Sequence, residues 1–216
     1  MKKFSLIITA GGTSSRYGNR NKLLEKIDSL TVIEHSIKPF LSFSEIAEII
    51  VPANPSIMED LRKIFAESRI NLITGGATRQ ESVYKALQTV NYEYVIIHDG
   101  ARPLVTEEII QNVINSVEKY NAVSVMVKTT DTIKEVDETG KIIRTIDRSK
   151  LYNTQTPQAF STELIKSAHE KLKPGNYTDD ASMLEELGIP VYITEGSYKN
   201  IKITSETDLN FVKLCT

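Results

Sequence analysis

Residues 7–22, IITAGGTSSRYGNRNK, run from an apolar stretch straight into two glycines, three successive hydroxyl residues, Arg16, Arg20 and Lys22. That combination suits an anion: small residues let a phosphate approach the backbone N–H groups, and cations neutralise it. Two familiar phosphate loops are excluded by spacing. The interval from Gly12 to Gly18 is too wide for G-x-x-x-x-G-K-[ST] and is followed by Asn19, and no G-x-G-x-x-G is present. A second constellation is HDGARP at 98–103, in which Asp99 closes the apolar run YVIIHD and Arg102 follows three residues later. A carboxylate there either faces a ligand or caps the next turn, and Arg102 either meets substrate or braces Asp99. Standing alone, the first loop reads as a polar turn with solvated cations. Its weight comes from the rest of the chain.

The elements that must position these residues are short and β-branched: FSLIIT, EIAEIIV, INLIT, YVIIHD and AVSVMVK read as strands alternating with helical stretches. Parallel strands with crossover helices follow, and in such a sheet ligands bind beyond the strands' carboxyl ends. Thr31 with Glu34 and Ser56 with Glu59 have capping-box spacing, and Thr106 precedes two glutamates in a first turn. The rhythm breaks at TDTIKEVDETGKIIRTIDR, where two alternating runs around Asp137 to Gly140 read as a β-hairpin arm. Helices near 162–172 and 179–187, strands PVYIT and NIKIT, and a last helix capped by Ser205 and Asp208 return the chain to the body. The expected fold is α/β: one Rossmann-like three-layer domain over 1–216, with a mostly parallel sheet and a protruding arm at about 131–150.

Composition narrows the function classes. With 216 residues, 40% hydrophobic and 25% charged, the chain can bury one large core, and its net charge of −2 is spread without basic blocks. Neither nucleic acid nor a membrane surface is an expected partner. The single Cys215 has no internal disulfide partner, three scattered histidines lack zinc-ligand spacing, and a reducing cytoplasm is the expected location. Lys2 and Lys3 before FSLIITA imitate a secretory signal, but the apolar run is short and enters the Gly11–Gly12 loop.

The opening loop, with GGATRQESV (75–83), HDGARP (98–103), DTIKE (131–135), IDRSKLYNTQTPQAF (146–160), TDDAS (178–182) and NIKIT (200–204), resembles the 2-C-methyl-D-erythritol 4-phosphate cytidylyltransferase family over essentially the whole chain. That family carries an A-A/G-G-x-G-x-R-M/Y loop and a nearby lysine around the triphosphate of CTP. Three positions depart from the pattern: Ser14 for the usual loop glycine, Asn21 for the proline before the lysine, and Ala77 where the residue is often acidic. The resemblance implies attack by a sugar-phosphate oxygen on the α-phosphorus of CTP, with pyrophosphate leaving. It implies Arg16 and Lys22 as catalytic cations, and Ala10, Gly11, Gly12, Gly76, Arg79 and Ser82 around the nucleotide. Arg148 and Lys202 are implied to hold the acceptor's phosphate, with Asp99, Arg102, Thr132, Thr156 and Thr178 beside it. Mg²⁺ is the implied cofactor, bridging phosphate oxygens, with Asp99 the nearest carboxylate.

Ribitol 5-phosphate cytidylyltransferases are the nearest competing family. They tend to read H-D-S-V-R-P and proline-asparagine-arginine before LY, where this chain has HDGARP and Ile146-Asp147-Arg148. A catalytically silent CTP-binding module is disfavoured because both loop cations and both acceptor cations are kept. The resemblance further implies a homodimer whose arms embrace, Thr132 and Arg148 completing the partner's site.

Overall fold

FSLIIT contains five buried residues out of six, a pattern that suits a strand covered on both faces. In the computed structural model, which describes residues 2–12, 17, 21–66, 68–172 and 177–216, it forms β1 (Phe4–Thr9). Phe4, Leu6 and Ile8 point into one core and Ile7 into another, the period of two expected of a strand. The chain continues through β2 (Lys26–Ile27), β3 (Leu30–Thr31), α1 (Val32–Ile37), β4 (Ile46–Ala53), α2 (Met58–Ile64), β5 (Ile70–Thr74), α3 (Arg79–Leu87) and β6 (Tyr94–Asp99). There follow α4 (Glu107–Tyr120), β7 (Ala122–Lys128), β8 (Ile133–Val136), β9 (Ile142–Ile146), β10 (Tyr152–Ser161), α5 (Thr162–Lys171), α6 (Ala181–Glu186), β11 (Tyr192–Glu195) and α7 (Glu206–Cys215).

Seven strands form one sheet in the order β11-β7-β10-β6-β1-β4-β5. All neighbours are parallel except β10, which runs against both β6 and β7. One core packs buried residues of α1, α2, α4 and α7 on one face, the other those of α3, α5 and α6, giving the expected three layers. The chain lays β4 and β5 outward on one side of β1, then returns to place β6 on its other side. This reversal opens a crevice at the carboxyl ends of β1 and β6, where Thr9 pairs with Asp99. The arm is a separate two-stranded sheet of β8 and β9. Its turn is set by Asp137, whose Oδ1 accepts from the N–H groups of Thr139 and Lys141, and by Gly140 at φ 84°.

Capping follows the sequence at three of four places. Thr31/Glu34 and Ser205/Asp208 form complete capping boxes, and Thr106 accepts from the Ile109 N–H. Ser56 caps nothing. Asn54 takes that role two residues earlier, accepting from the Ser56 N–H to start a 3₁₀ turn at Pro55–Ile57, and Ile57 precedes α2 without a side-chain cap. NIKIT is likewise not a strand: 200–204 pairs with no strand and is held by single bonds, among them Ile203 N–H to Ala101 O at 2.8 Å. Conversely, β10 lies in the middle of the sheet although YNTQTPQAFS lacks an apolar alternation. Its register shifts between Thr154 and Gln158, and Pro157 sits within that irregularity, where a missing N–H is tolerated.

Candidate active site

The first glycine segment is fixed to β4. The Ala10 N–H donates to Pro52 O at 3.2 Å, and Ala10 O accepts from the Asn54 N–H at 3.0 Å. Ala10 is therefore buried behind the crevice, while Gly11 and Gly12 face it. A Cβ on Gly11 would lie 2.4 Å from Ser82 Oγ, so any side chain there would displace the serine. Ser82 Oγ donates to Thr78 O at 2.8 Å and accepts from the Gly76 N–H at 2.9 Å, drawing the second glycine segment against the first. Thr78 starts α3 by accepting from the Glu81 N–H, which puts Arg79 at the helix's first position, aimed at the carboxyl end of β6.

Asp99 is the electrostatic centre. Lys202 Nζ lies 2.9 Å from its Oδ2, Arg102 Nε 3.5 Å from the same oxygen, and Arg79 Nε 3.5 Å from Oδ1, which also accepts from Thr9 Oγ1 at 3.3 Å. Burial alone would push the Asp99 carboxyl up, but Lys202, Arg79 and Arg102 overcome it and hold the group well below the usual carboxylate range. Arg79 also reaches Asp180 Oδ2 at 2.8 Å, and burial's pull against its charge is overcome by Asp180 and Asp99. Asp180 is in turn backed by His169 Nε2 at 3.5 Å, and Gln158 Oε1 accepts from the Asp180 and Ala181 N–H groups. Three cations thus face Asp99 and Asp180, with Asp179 also acting on Arg79.

Two cavities share this cluster as their common wall. One, of about 260 Å³, is lined by Gly11, Gly12, Lys22, Ser82 and Gly100 together with Arg79, Asp99 and Lys202. The other, of about 350 Å³, is lined by Arg102, Thr154, Gln155, Thr156, Thr178, Asp179, Ser182 and Glu185 with the same three residues. Of the expected residues, Gly11, Gly12, Lys22 and Ser82 line the first cavity and Arg102, Thr156 and Thr178 the second, Arg79, Asp99 and Lys202 line both, and Ala10 and Gly76 line neither. Lys22 begins a 3₁₀ turn whose Leu23 N–H is taken by Asn21 Oδ1 at 3.0 Å, so the asparagine that departs from the family pattern anchors the turn that carries Lys22.

Several expected residues stand elsewhere. Arg16 lies outside the described residues. Thr132 and Arg148, at the arm's base, are exposed and line neither cavity; Arg148 Nη1 donates to Thr130 O. Asp99 does not fit a metal ligand, since both its oxygens are engaged by cations, and no group of three acidic, histidine or cysteine side chains able to hold a metal occurs among the described residues. Sequence reasoning missed His98, Gln155, Gln158, Asp180 and Asn200, all buried polar groups within or behind these walls. The signal for them was an unusual density of polar residues in segments the fold covers.

A three-layer α/β body with a cation-rich crevice at the reversal of its strand order defines a nucleotide-binding enzyme architecture. The chain belongs to the 2-C-methyl-D-erythritol 4-phosphate cytidylyltransferase family, which it matches over residues 4–215. It is 42% identical over 214 residues to the 2-C-methyl-D-erythritol 4-phosphate cytidylyltransferase of Bacillus thuringiensis, covering 95% of this chain and 94% of that protein. The enzyme of the same name from Dictyoglomus thermophilum is 40% identical, covering 97% and 94%. The crystal structure of 4-diphosphocytidyl-2C-methyl-D-erythritol synthase from Anaerococcus prevotii superposes with a TM-score of 0.88 at 30% identity, covering 99% of this chain and 96% of that one. Among the described residues, no helix is long and apolar enough to cross a membrane.

Proposed function

We propose that the protein transfers CMP from CTP to 2-C-methyl-D-erythritol 4-phosphate, releasing pyrophosphate and forming 4-diphosphocytidyl-2-C-methyl-D-erythritol for isoprenoid precursor synthesis. The observation that carries this reading is the Lys202–Asp99 wall shared by two cavities, one with the glycine segments and Lys22, the other with Thr156 and Thr178. The acceptor's phosphate oxygen attacks the α-phosphorus, a P–O bond forms as the bond to pyrophosphate breaks, and the nucleophile, already an anion, needs no base. Repulsion between two anions is the main barrier, so cations held at fixed positions do the work. Lys22 and Arg16 stabilise charge on the α-phosphate and leaving group, Lys202 and Arg148 hold the acceptor's phosphate, and Asp99 fixes Lys202. A bound Mg²⁺ would supply further charge neutralisation to the triphosphate, while Asp99, engaged by Lys202, Arg79 and Arg102, would stay the partner of those cations.

The arm supports a homodimer. Val136, Ile142 and Ile143 are 52%, 58% and 57% exposed on a hairpin too small to be stable alone, and Arg148 lines neither of the two cavities beside Asp99. In a two-fold pair each arm brings Thr132 and Arg148 to the other's acceptor cavity. The lone exposed Cys215 accords with a reducing cytoplasm.

Pyrophosphate release on mixing the protein with CTP, Mg²⁺ and methylerythritol 4-phosphate tests the activity. Release that depends on the acceptor and fails with ATP, GTP and UTP is expected. No release from folded protein would refute it.

A further inference from the structure

Lys202 occupies a segment with no strand pairing, yet its ammonium is held 2.9 Å from Asp99. The segment's register comes from Asn200, which is fully buried. Its Nδ2 donates to Thr156 O at 2.9 Å and to Gln155 Oε1 at 3.3 Å, and its backbone carbonyl accepts from Arg102 Nη1 at 2.7 Å. Both partners of the amide are acceptors, so its NH₂ end must face them. Gln155 extends the attachment, its Nε2 donating to Ser197 O at 2.8 Å while its Oε1 accepts from the Ser197 N–H at 3.4 Å. Gln155 and Thr156 belong to the stretch of β10 where the register shifts, which frees their polar groups from the sheet ladder.

We infer that Asn200 is a positioning residue for acceptor use: its amide sets Lys202 against the irregular stretch of β10, and Arg102 clamps the same backbone from the other side. A chain of contacts runs from β10 through Asn200 to Lys202 and Asp99, so the placement of the shared cation depends on a side chain that lines neither cavity. The inference rests on the reading that Lys202 holds the acceptor's phosphate.

A double-mutant cycle tests it. Asn200→Ala should lower kcat/KM for methylerythritol 4-phosphate by roughly 10- to 100-fold, chiefly through KM, because small displacements of a positioned charge are costly. Affinity for CTP, measured by calorimetry, should change by less than about threefold. In a Lys202→Ala background, adding Asn200→Ala should cost less than about a further twofold, because the residue acts through the missing cation. Multiplicative losses, or equal losses for CTP and acceptor with a lowered unfolding midpoint, would reduce Asn200 to a structural residue and overturn the inference alone. If Lys202→Ala itself left the acceptor's KM unchanged, the functional reading of Lys202 would fail and this inference with it. Should Asn200→Ala not fold, Asn200→Ser, which removes the amide that reaches Thr156 O and Gln155 Oε1 but leaves a smaller polar group in its place, goes through the same cycle with the same outcomes.

Discussion

His98 gives the fold a pH dependence separate from that of its carboxylates. Its ring is fully buried, 5.1 Å from the Phe40 centroid. Nε2 lies 3.2 Å from Arg102 O, which can only accept, so Nε2 carries the proton; Nδ1 then accepts from Thr156 Oγ1 at 3.1 Å, and that hydroxyl accepts from the Asp99 N–H at 3.0 Å. Every group in this chain is satisfied only when the imidazole is neutral. Burial lowers its pKa from 6.5 to about 4, against the opposing pull of Asp99. The folded value is below the unfolded one, so the neutral ring's contribution is fully present above pH 6.5 and is lost as pH falls toward about 4. The unfolded chain binds one proton more across that window, worth about 1.4 kcal/mol per pH unit and about 3 kcal/mol in all. Urea-unfolding free energies of the wild type and His98→Asn, taken between about pH 7.5 and 4.5, should converge by that amount as the solution is acidified. Carboxylates titrate in both proteins and cancel in the difference. Parallel curves would refute the neutral, buried assignment.

Lys22→Ala should reduce turnover by about two orders of magnitude or more in protein that still folds, since the lysine lines the cavity and acts on developing charge; near-normal turnover in folded protein would remove it from catalysis. Asp99→Asn strips the shared partner from Arg79, Arg102 and Lys202, of which Lys202 is partly solvated and Arg79 keeps Asp180. A loss of about 3 kcal/mol, or a fall in Tm of about 6–12 °C, is expected by calorimetry, and an unchanged Tm would mean the ion cluster is not a net anchor. Co-expression of Lys22→Ala and Arg148→Ala chains should recover about a quarter of wild-type activity, because half the random dimers carry one intact site. Activity no higher than that of the separate variants, with mixed dimers verified by mass, would contradict arm exchange.

The sheet was legible where strands are buried on both faces, because FSLIIT or YVIIHD offers no other way to hide its apolar groups. The arm was legible from alternation around Asp137 to Gly140, and the crevice from the loop that follows β1. β10 was not: Gln155 and Thr156 carry hydrogen-bonding side chains that serve Asn200, His98 and Asp99, so tertiary polar contacts overrode the periodicity that marks a strand. NIKIT erred the other way, since Ile201 and Ile203 are apolar and spaced by two but pack individually against the core. For the site, residues on β1, α3 and β6 were readable from their motifs. The supporting Gln155, Gln158, Asp180 and Asn200 were not, because only the folded chain reveals which polar groups lose water and must be paired.

The central claim is that this chain joins CMP to methylerythritol 4-phosphate in preference to other polyol phosphates. Offering CTP, Mg²⁺ and equal concentrations of methylerythritol 4-phosphate and ribitol 5-phosphate, and identifying the cytidylated product by mass, tests it most directly. The methylerythritol product should predominate, with one pyrophosphate released per molecule formed. Equal amounts of both products, or a predominance of the ribitol product, would contradict the account.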